Sequence, residues 1–243
     1  MKYAAESNIG HRPHNEDLFH IPQTGDVHPF VAVSDGMGGH AAGAVASEHV
    51  IRQLCESLLR VNDDEPIAAL KSAIQRVNLS VFRAAEADPS LTGMGATLVC
   101  ALLYENRFIA ANIGDSRLYH YSNHSLQQVT TDHSLVQMMV NAGNITKEEA
   151  RTHPKRNIIT RAMGIAMRTD IDLFDRSWMP DDILLLCSDG LSGSLTDEMI
   201  RAHLQNASDL SATAKQLVQS ALAAGATDNV TVVLAQCEGG RSA

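Results

Sequence analysis

Residues 31–40, VAVSDGMGGH, carry the clearest structural signal in the sequence. An apolar, β-branched run leads to Asp35 and then breaks into glycines, which is the pattern of a buried strand that ends at the edge of a sheet. A carboxylate at the end of a buried strand costs free energy unless a positive group holds it there. Asp35 is therefore a candidate ligand for a cation.

The same design recurs along the chain. Asp189 follows the apolar run ILLLCS, Asp115 follows FIAANIG, and Asp228 precedes the apolar run VTVVLA. Glu16 and Asp17 stand side by side in NED. Hard divalent cations such as Mg²⁺ and Mn²⁺ take oxygen ligands, commonly a few carboxylates and water. The repeated pattern favours a divalent cation site over the alternative that each Asp-Gly or Asp-Asn pair is only a turn.

Composition excludes several classes of protein. The chain has 243 residues, of which 44% are hydrophobic and 19% charged, as in an ordinary globular protein able to bury a full core. Its net charge of -9 argues against nonspecific binding to nucleic acid or to an anionic membrane. The sequence has no apolar run of about 20 residues and no signal-peptide pattern. Its four cysteines have no CxxC spacing, so we expect reduced thiols and a cytoplasmic protein.

Hydrophobic periodicity predicts an α+β protein in which sheets are layered with helices, as a single domain over residues 1–243. The predicted strands are 2–7, 17–21, 30–35, 96–104, 107–113, 117–122, 125–130, 171–178, 182–188 and 230–236. The predicted helices are 40–61, 66–87, 134–142, 196–205 and 209–224. The four strands between residues 96 and 130 are expected to be consecutive antiparallel neighbours. The basic, irregular stretch 143–170 predicts a flexible subdomain.

In this order and spacing the motifs resemble the metal-dependent serine/threonine protein phosphatases of type 2C, in their compact bacterial form. The resemblance covers essentially the whole chain. The motifs that carry it are GHRPHNED (10–17), VSDGMGGH (33–40), GMGAT (93–97), NIGDSR (112–117), TDHSLV (131–136), NIITRAMG (157–164), SDGL (188–191) and TDNVT (227–231). The resemblance implies a four-layer α-β-β-α sandwich of two antiparallel sheets flanked by helix pairs, with a small flap subdomain at about 143–170.

The resemblance also implies a centre of two Mn²⁺ or Mg²⁺ ions. Asp35 matches the carboxylate that bridges both ions, and Gly36 matches the residue whose carbonyl joins the coordination. Glu16 matches a ligand of one ion. Asp189 and Asp228 match ligands of the other.

Two matched positions are the predicted catalytic residues, and two positions depart from the family pattern. Arg12 matches the guanidinium that grips the substrate phosphate, and Asp17 matches the carboxylate that orients metal-bound water. Asp115 matches a ligand of a third ion that many members bind, but Gly193 stands where they carry the second aspartate of that site. Met37 stands where animal members carry a histidine proposed as general acid.

By this resemblance the chain hydrolyses phosphoserine and phosphothreonine on proteins by attack of metal-activated water, without a phosphoenzyme. The implied partners are phosphorylated protein substrates and a bacterial Ser/Thr kinase that the enzyme opposes in signalling, with neither nucleic acid nor membrane, and the chain is expected to be a monomer. Two alternatives remain open. One is a phosphatase of a partner-switching pathway that acts on anti-sigma-factor antagonists. The other is a non-catalytic pseudophosphatase, which would be expected to have lost its central acids.

Overall fold

A computed structural model describes residues 1–23, 29–38, 42–58 and 65–238. The strands in these ranges are β1 (Lys2–Asn8), β2 (Asp17–His20), β3 (Phe30–Met37), β4 (Gly95–Ala96), β5 (Leu98–Leu103), β6 (Arg107–Ile113), β7 (Arg117–Ser122), β8 (Ser125–Gln128), β9 (Asp172–Ser177), β10 (Ile183–Cys187) and β11 (Val230–Gln236). The helices are α1 (Ala42–Leu58), α2 (Pro66–Ala87), α3 (Leu135–Asn141), α4 (Lys147–Thr152), α5 (Asp189–Ser192), α6 (Asp197–Gln205) and α7 (Leu210–Ala223). Residues 40, 41 and 59–61 of the first predicted helix lie outside the described ranges.

The strands form two antiparallel sheets that pack face to face. The first has the order β1-β11-β10-β7-β8, and the second has the order β2-β3-β5-β6-β9 with β4 paired to β3. Val31 and Val33 of β3 pack against Leu184 and Leu186 of β10 between the sheets, whereas Ala32 faces the opposite way. Because β3 is covered on both faces, its sequence is a continuous apolar run rather than an alternating one.

Helix pairs cover the two outer faces. Leu54 of α1 and Ile74 of α2 belong to the core that covers the second sheet. Leu204 of α6 and Leu217 of α7 belong to the core that covers the first sheet. The predicted four-layer α-β-β-α sandwich is confirmed, with three apolar layers between four layers of secondary structure. No helix in the described ranges is long and apolar enough to cross a membrane.

The predicted succession of four antiparallel neighbours between residues 96 and 130 is wrong at one point. β5 pairs with β6 and β7 pairs with β8, but β6 and β7 belong to different sheets. The chain crosses from one sheet to the other through residues 114–116, where Gly114 has a φ of 110° that favours glycine. Alternation and turn residues locate strands, but they do not indicate which sheet a strand joins. The crossover places Asp115 between the two sheets.

The stretch 143–170 is hydrogen-bonded to the rest of the fold. Its one helix in the structure, α4, is not predicted by the residue pattern and buries none of its residues. Arg151 of α4 donates to the carbonyl oxygens of Ser192 (3.3 Å) and Leu195 (3.0 Å) beside α5. Thr146 and Glu149 cap the helix reciprocally, which explains why so short a segment is helical. The assignment of this stretch as a flap subdomain stays a prediction.

Candidate metal centre

The acids of the second sheet meet at one end of two paired strands. The register of β2 with β3 places Asp17 opposite Asp35. The backbone N–H of Gly36 donates to the carbonyl oxygen of Glu16 at 3.0 Å, which extends this pairing by one residue. Neighbouring strands lie about 5 Å apart, so this register alone brings three acidic side chains to one edge.

The backbone of Asp35 is held by Thr97, which is in turn bound to Ser116. The Asp35 N–H donates to Thr97 Oγ1 at 2.9 Å, and the Asp35 carbonyl oxygen accepts from the Thr97 N–H at 2.8 Å. Thr97 Oγ1 lies 2.7 Å from Ser116 Oγ, so Thr97 links Asp35 to the crossover beside Asp115. The motifs GMGAT and NIGDSR therefore position the central carboxylate.

The first sheet supplies acids from two adjacent strands. Asp189 is the first residue of α5, two residues after β10 ends, and Asp228 lies two residues before β11 begins. β10 and β11 are paired, and both face β3 across the inter-sheet core. The structure therefore brings Asp189 and Asp228 to the same edge as Asp35.

Asn229 organises the loop that carries Glu16, although the sequence patterns assigned it no role. Its Oδ1 accepts from the Glu16 N–H at 2.8 Å, and its Nδ2 donates to the carbonyl oxygens of Ile9 (2.8 Å) and His14 (3.0 Å). The side chain thus satisfies three backbone groups of residues 9–16, the loop that connects β1 of one sheet to β2 of the other. The sequence signal for this role is the position of Asn229 directly after the candidate ligand Asp228 in the motif TDNVT.

Close backbone approach explains two glycines at the centre. A Cβ on Gly36 would lie 2.0 Å from the carbonyl oxygen of Gly43, and a Cβ on Gly43 would lie 2.7 Å from Glu16 Cδ. Side chains at either position would push α1 away from β3 and displace the Glu16 carboxylate. These glycines therefore let the start of α1 pack directly against the candidate ligands.

Asp17 is buried and anchored by a hydroxyl. Ser188 Oγ donates to Asp17 Oδ2 at 2.6 Å and accepts from the Thr231 N–H at 3.0 Å. Burial, with a smaller contribution from the charges of Asp189 and Asp228, raises the pKa of Asp17 to about 7, although the hydrogen bonds of Ser188 and Thr231 lower it. Its position next to Asp35, fixed by Ser188, suits the predicted orienting role.

The remaining carboxyls also repel one another. Burial raises the pKa of Asp35 well above its ordinary value, and the charges of Asp17, Asp189, Asp115 and Asp228 add to the effect. Burial, then the charges of neighbouring aspartates, raises the pKa of Asp189 to about 6 and that of Asp115 to about 8. Burial raises the pKa of Glu16 as well. Such mutual repulsion is what a bound divalent cation relieves.

The donor atoms fit a hard divalent cation. Oδ1 of Asp17, of Asp115 and of Asp189 are buried oxygens with no hydrogen-bond partner in the described part of the chain. Across the described ranges no three Asp, Glu, His or Cys side chains form a ready-made set of metal ligands. The unpartnered carboxylate oxygens suit Mg²⁺ or Mn²⁺, which take oxygen ligands and keep several waters. The carboxylate oxygens present are donors that such ions prefer.

Arg12 lies at the solvent side of the centre. Its Nη2 is 2.6 Å from Asp228 Oδ2, and its side chain is 52% exposed. The hydrogen bond and charge of Asp228, followed by the charges of Glu16 and Asp189, raise the pKa of Arg12. A guanidinium has five N–H donors, so Arg12 can bind Asp228 and still present donors outward.

Gly193 limits the additional site predicted at Asp115. A Cβ at Gly193 would lie 2.8 Å from the Asp189 carbonyl oxygen, and its other close neighbour within 4 Å is the Asp189 carbonyl carbon. Gly193 has no side chain, so this position supplies no carboxylate ligand. Asp115 as a ligand of a third ion stays a prediction. Met37 offers no proton donor, as the sequence indicates.

Residues 6–234 match the family described as Protein phosphatase 2C. The chain belongs to the protein phosphatase 2C family. The family and the reaction class predicted from the motifs, phosphoprotein phosphatase, are confirmed. The roles of the individual site residues stay predictions.

The chain is similar to several bacterial members of this phosphatase family. The serine/threonine phosphatase Stp of Listeria monocytogenes is 40% identical over 229 residues, which are 93% of this chain and 91% of the relative. The crystal structure of serine/threonine phosphatase Stp1 from Staphylococcus aureus superposes with a TM-score of 0.93 at 37% identity, covering 98% of this chain and 95% of that one. The catalytic domain of the phosphatase PstP, crystallised in complex with two manganese ions, matches with a TM-score of 0.85 at 37% identity over 97% of both chains.

Proposed function

We propose that this protein phosphatase hydrolyses phosphoserine and phosphothreonine residues of proteins at a centre that holds two Mn²⁺ or Mg²⁺ ions. The observation that carries the proposal is the convergence of acids from both sheets at one edge, with buried carboxylate oxygens that have no partner in the described ranges. Glu16, Asp35, the Gly36 carbonyl, Asp189 and Asp228 would hold the two ions. The names of the similar bacterial serine/threonine phosphatases and the manganese complex of PstP support this assignment.

The chain's own residues bind and orient the reactants. Bound divalent cations lower the pKa of water and screen the charge of a phosphoryl group. Arg12 binds two phosphate oxygens through its planar guanidinium, at the solvent side of Asp228. Asp17, fixed by Ser188, accepts a hydrogen bond from the attacking water and orients it for in-line displacement. A protein nucleophile is not required, so a phosphoenzyme is not expected.

The first test is metal-dependent turnover. Hydrolysis of p-nitrophenyl phosphate and of a phosphothreonine peptide should require added Mn²⁺ or Mg²⁺ and stop in EDTA. Asp35→Asn should reduce turnover to background because the amide keeps only one oxygen and loses the negative charge, while circular dichroism stays unchanged. Full activity of Asp35→Asn with Mn²⁺ would contradict the bridging role, and hydrolysis that persists in EDTA would contradict the metal centre.

The cellular setting is part of the proposal. Phosphorylated protein substrates and an opposing bacterial Ser/Thr kinase, a cytoplasmic location and a monomeric state all stay predictions. A partner-switching substrate is the alternative within the same chemistry. Phosphoproteomics of a deletion strain separates the two, because it shows whether anti-sigma-factor antagonists or kinase targets accumulate phosphate. The pseudophosphatase alternative is disfavoured because Glu16, Asp35, Asp189 and Asp228 are all present.

A further inference from the structure

Two apolar side chains lie over one glycine beside the candidate centre. Gly95 is paired with Met37 in the register of β3 with β4. A Cβ at Gly95 would lie 2.9 Å from Met37 Cε and 2.8 Å from Ile165 Cδ1. The Met37 and Ile165 side chains therefore share the space above Gly95. We call Met37, Gly95 and Ile165 the apolar shelf.

The apolar shelf faces the same way as the central carboxylate. Met37 follows Asp35 by two residues in β3, and residues i and i+2 of a strand point to the same face. At a rise of about 3.3 Å per residue, Met37 lies about 7 Å along the strand from Asp35. Cross-strand partners also share a face, which places Gly95 under the same surface. The shelf is therefore continuous with the candidate metal centre.

Ile165 is exposed but rigidly held. Its side chain is 51% exposed, yet the backbone on both sides of it is bound to the buried Asn78 of α2. Asn78 Oδ1 accepts from the Gly164 N–H at 2.9 Å, and its Nδ2 donates to the Ala166 carbonyl oxygen at 2.9 Å. A Cβ at Gly164 would lie 2.4 Å from Val81 Cγ1, so the segment packs directly on α2.

A second anchor fixes the segment to the sandwich. Met163 and Ala96 exchange two backbone hydrogen bonds, at 2.8 Å and 3.2 Å. The hydrogen bonds of Asn78 and the Met163–Ala96 bridge hold the backbone around the exposed Ile165. Supporting contacts of this kind are typical of a preorganised binding surface. The exposed apolar position is thus built into the fold rather than left at a loop tip.

We infer that the apolar shelf binds an apolar side chain of the phosphoprotein substrate, close in sequence to the phosphorylated residue. The inference rests on the proposed function, which places the phosphate at Arg12 and beside the ions that Asp35 would hold. An extended chain advances about 3.3–3.6 Å per residue, so a side chain two residues from the phosphorylated one reaches about 7 Å, the separation of Met37 from Asp35. Met37 and Ile165 offer no hydrogen bonds, and the flexible thioether of methionine adapts to different apolar partners.

The test compares phosphothreonine peptides that differ at one position. A host peptide has Ser two residues before and after phosphothreonine, and two further peptides carry Leu at one of these positions. With Mn²⁺ present, kcat/KM for one Leu peptide should exceed that of the host by about 5- to 10-fold, as expected for burial of about one or two methylene groups on an apolar surface. Ile165→Ser should reduce this ratio to about one, whereas the conservative Ile165→Leu should preserve it.

The control variant is Met179→Ser, which removes another exposed apolar side chain (63% exposed). Met179 lies before the start of β10, whereas the candidate ligand Asp189 follows the end of that strand. The control variant should leave the ratio unchanged. Equal rates of the wild type on all three peptides would overturn the inference, as would an Ile165→Ser variant that slows all peptides and p-nitrophenyl phosphate by one common factor. Turnover of p-nitrophenyl phosphate and the host peptide without a Leu preference would refute the shelf alone, whereas absence of any metal-dependent turnover would refute the proposed function as well.

Discussion

At the scale of single residues, the centre depends on side chains that carry no charge. Thr97 binds the backbone of Asp35, Ser188 binds the carboxylate of Asp17, and Asn229 binds the backbone of Glu16. Each of these bonds crosses between different parts of the chain. Their combined effect is to fix carboxylates that repel one another at one edge of the sandwich.

Asn229 provides the sharpest test of this support. Asn229→Ala removes three hydrogen bonds and leaves the Glu16 N–H and two carbonyl oxygens without their partner. A fully buried unpaired group costs about 1–3 kcal/mol, and these three groups are only partly buried. We therefore expect a total loss of about 2–4 kcal/mol in the free energy of unfolding. Because Glu16 is displaced, Mn²⁺ affinity should fall about 10- to 100-fold. Urea denaturation and isothermal titration calorimetry measure the two effects.

The matched control is Asn206→Ala, which removes an exposed asparagine with one side-chain bond, to the Ala202 carbonyl oxygen. It should change stability by less than about 1 kcal/mol and leave Mn²⁺ affinity unchanged. Equal Mn²⁺ affinity in Asn229→Ala and the wild type would show that Glu16 is positioned by other contacts.

The charged residues of the centre were predictable from sequence, but their neutral supports were not. An acid at the end of a buried strand, as at Asp35 or Asp189, is energetically costly unless a cation or hydrogen-bond donor binds it, so the sequence pattern indicates a functional site. Ser188 and Thr97 are compatible with ordinary turns and strands. Their hydrogen bonds become visible only when the two sheets are brought together, because Ser188 and its partner Asp17 are 171 residues apart.

At the level of helices and strands, local sequence signals predicted where most elements begin and end. They did not predict which strands pair in the same sheet. Pro66 and the apolar periodicity predicted α2 to the residue, and β11 was likewise predicted to the residue. Helix α5 was missed because four residues are too few to show a helical period. The crossing between β6 and β7 was missed because sheet membership depends on packing between distant segments.

Asp172 links the stretch 143–170 to the crossover that carries Asp115. Its carboxylate accepts from Arg161 Nη1 at 2.8 Å and lies 3.2 Å from His133 Nε2. His133 Nδ1 in turn accepts from the Gly114 N–H at 3.0 Å, which leaves the ring proton on the nitrogen that faces Asp172. Burial lowers the pKa of His133, consistent with a neutral ring in this position.

We expect Asp172→Ala to release this stretch locally. The free energy of unfolding should fall by about 1–3 kcal/mol, since Arg161 and His133 lose a shared partner. Amide hydrogens of residues 143–170 should exchange faster, by about 10-fold or more, while those of β3 and β10 keep their protection. Hydrogen-exchange mass spectrometry measures both regions in one experiment.

Asp175→Ala is the control on the same strand. Asp175 of β9 forms an exposed ion pair with Arg107 at 3.7 Å, and such pairs contribute about 0–1 kcal/mol. Uniformly faster exchange over the whole protein in Asp172→Ala would mean that the contact stabilises the global fold rather than the stretch.

At the scale of the whole molecule, the sandwich concentrates negative charge where its two sheets meet, within a chain of net charge -9. Asp189, Asp17 and Asp115 have pKa values raised to about 6, 7 and 8, and that of Asp35 is raised as well. In the unfolded chain an aspartate has a pKa of about 3.9. Between about pH 4 and pH 8 the folded state therefore binds more protons than the unfolded state, and its stability falls as the pH rises.

Because stability falls as the pH rises, pH and bound cations should have linked effects on the melting temperature, Tm. In EDTA, Tm should be lower at pH 7.5 than at pH 5.5, because the carboxyls lose their protons and repel one another. Mn²⁺ binds the ionised carboxylates, so saturating Mn²⁺ should raise Tm at both values and by more at pH 7.5. Differential scanning calorimetry under the four conditions measures the effect. A Tm that rises with pH in EDTA would contradict the predicted repulsion.

Asp35→Asn separates repulsion at the centre from the general acidity of the surface. The substitution removes the central charge, which interacts with Asp17, Asp189, Asp115 and Asp228. In EDTA at pH 7.5 the variant should therefore have a higher Tm than the wild type, whereas in Mn²⁺ the order should reverse because a ligand has been lost. A surface effect would instead lower or raise the Tm of both proteins alike. Such a crossing of the two stabilities is expected only if one group of carboxylates both destabilises the metal-free fold and binds the cations.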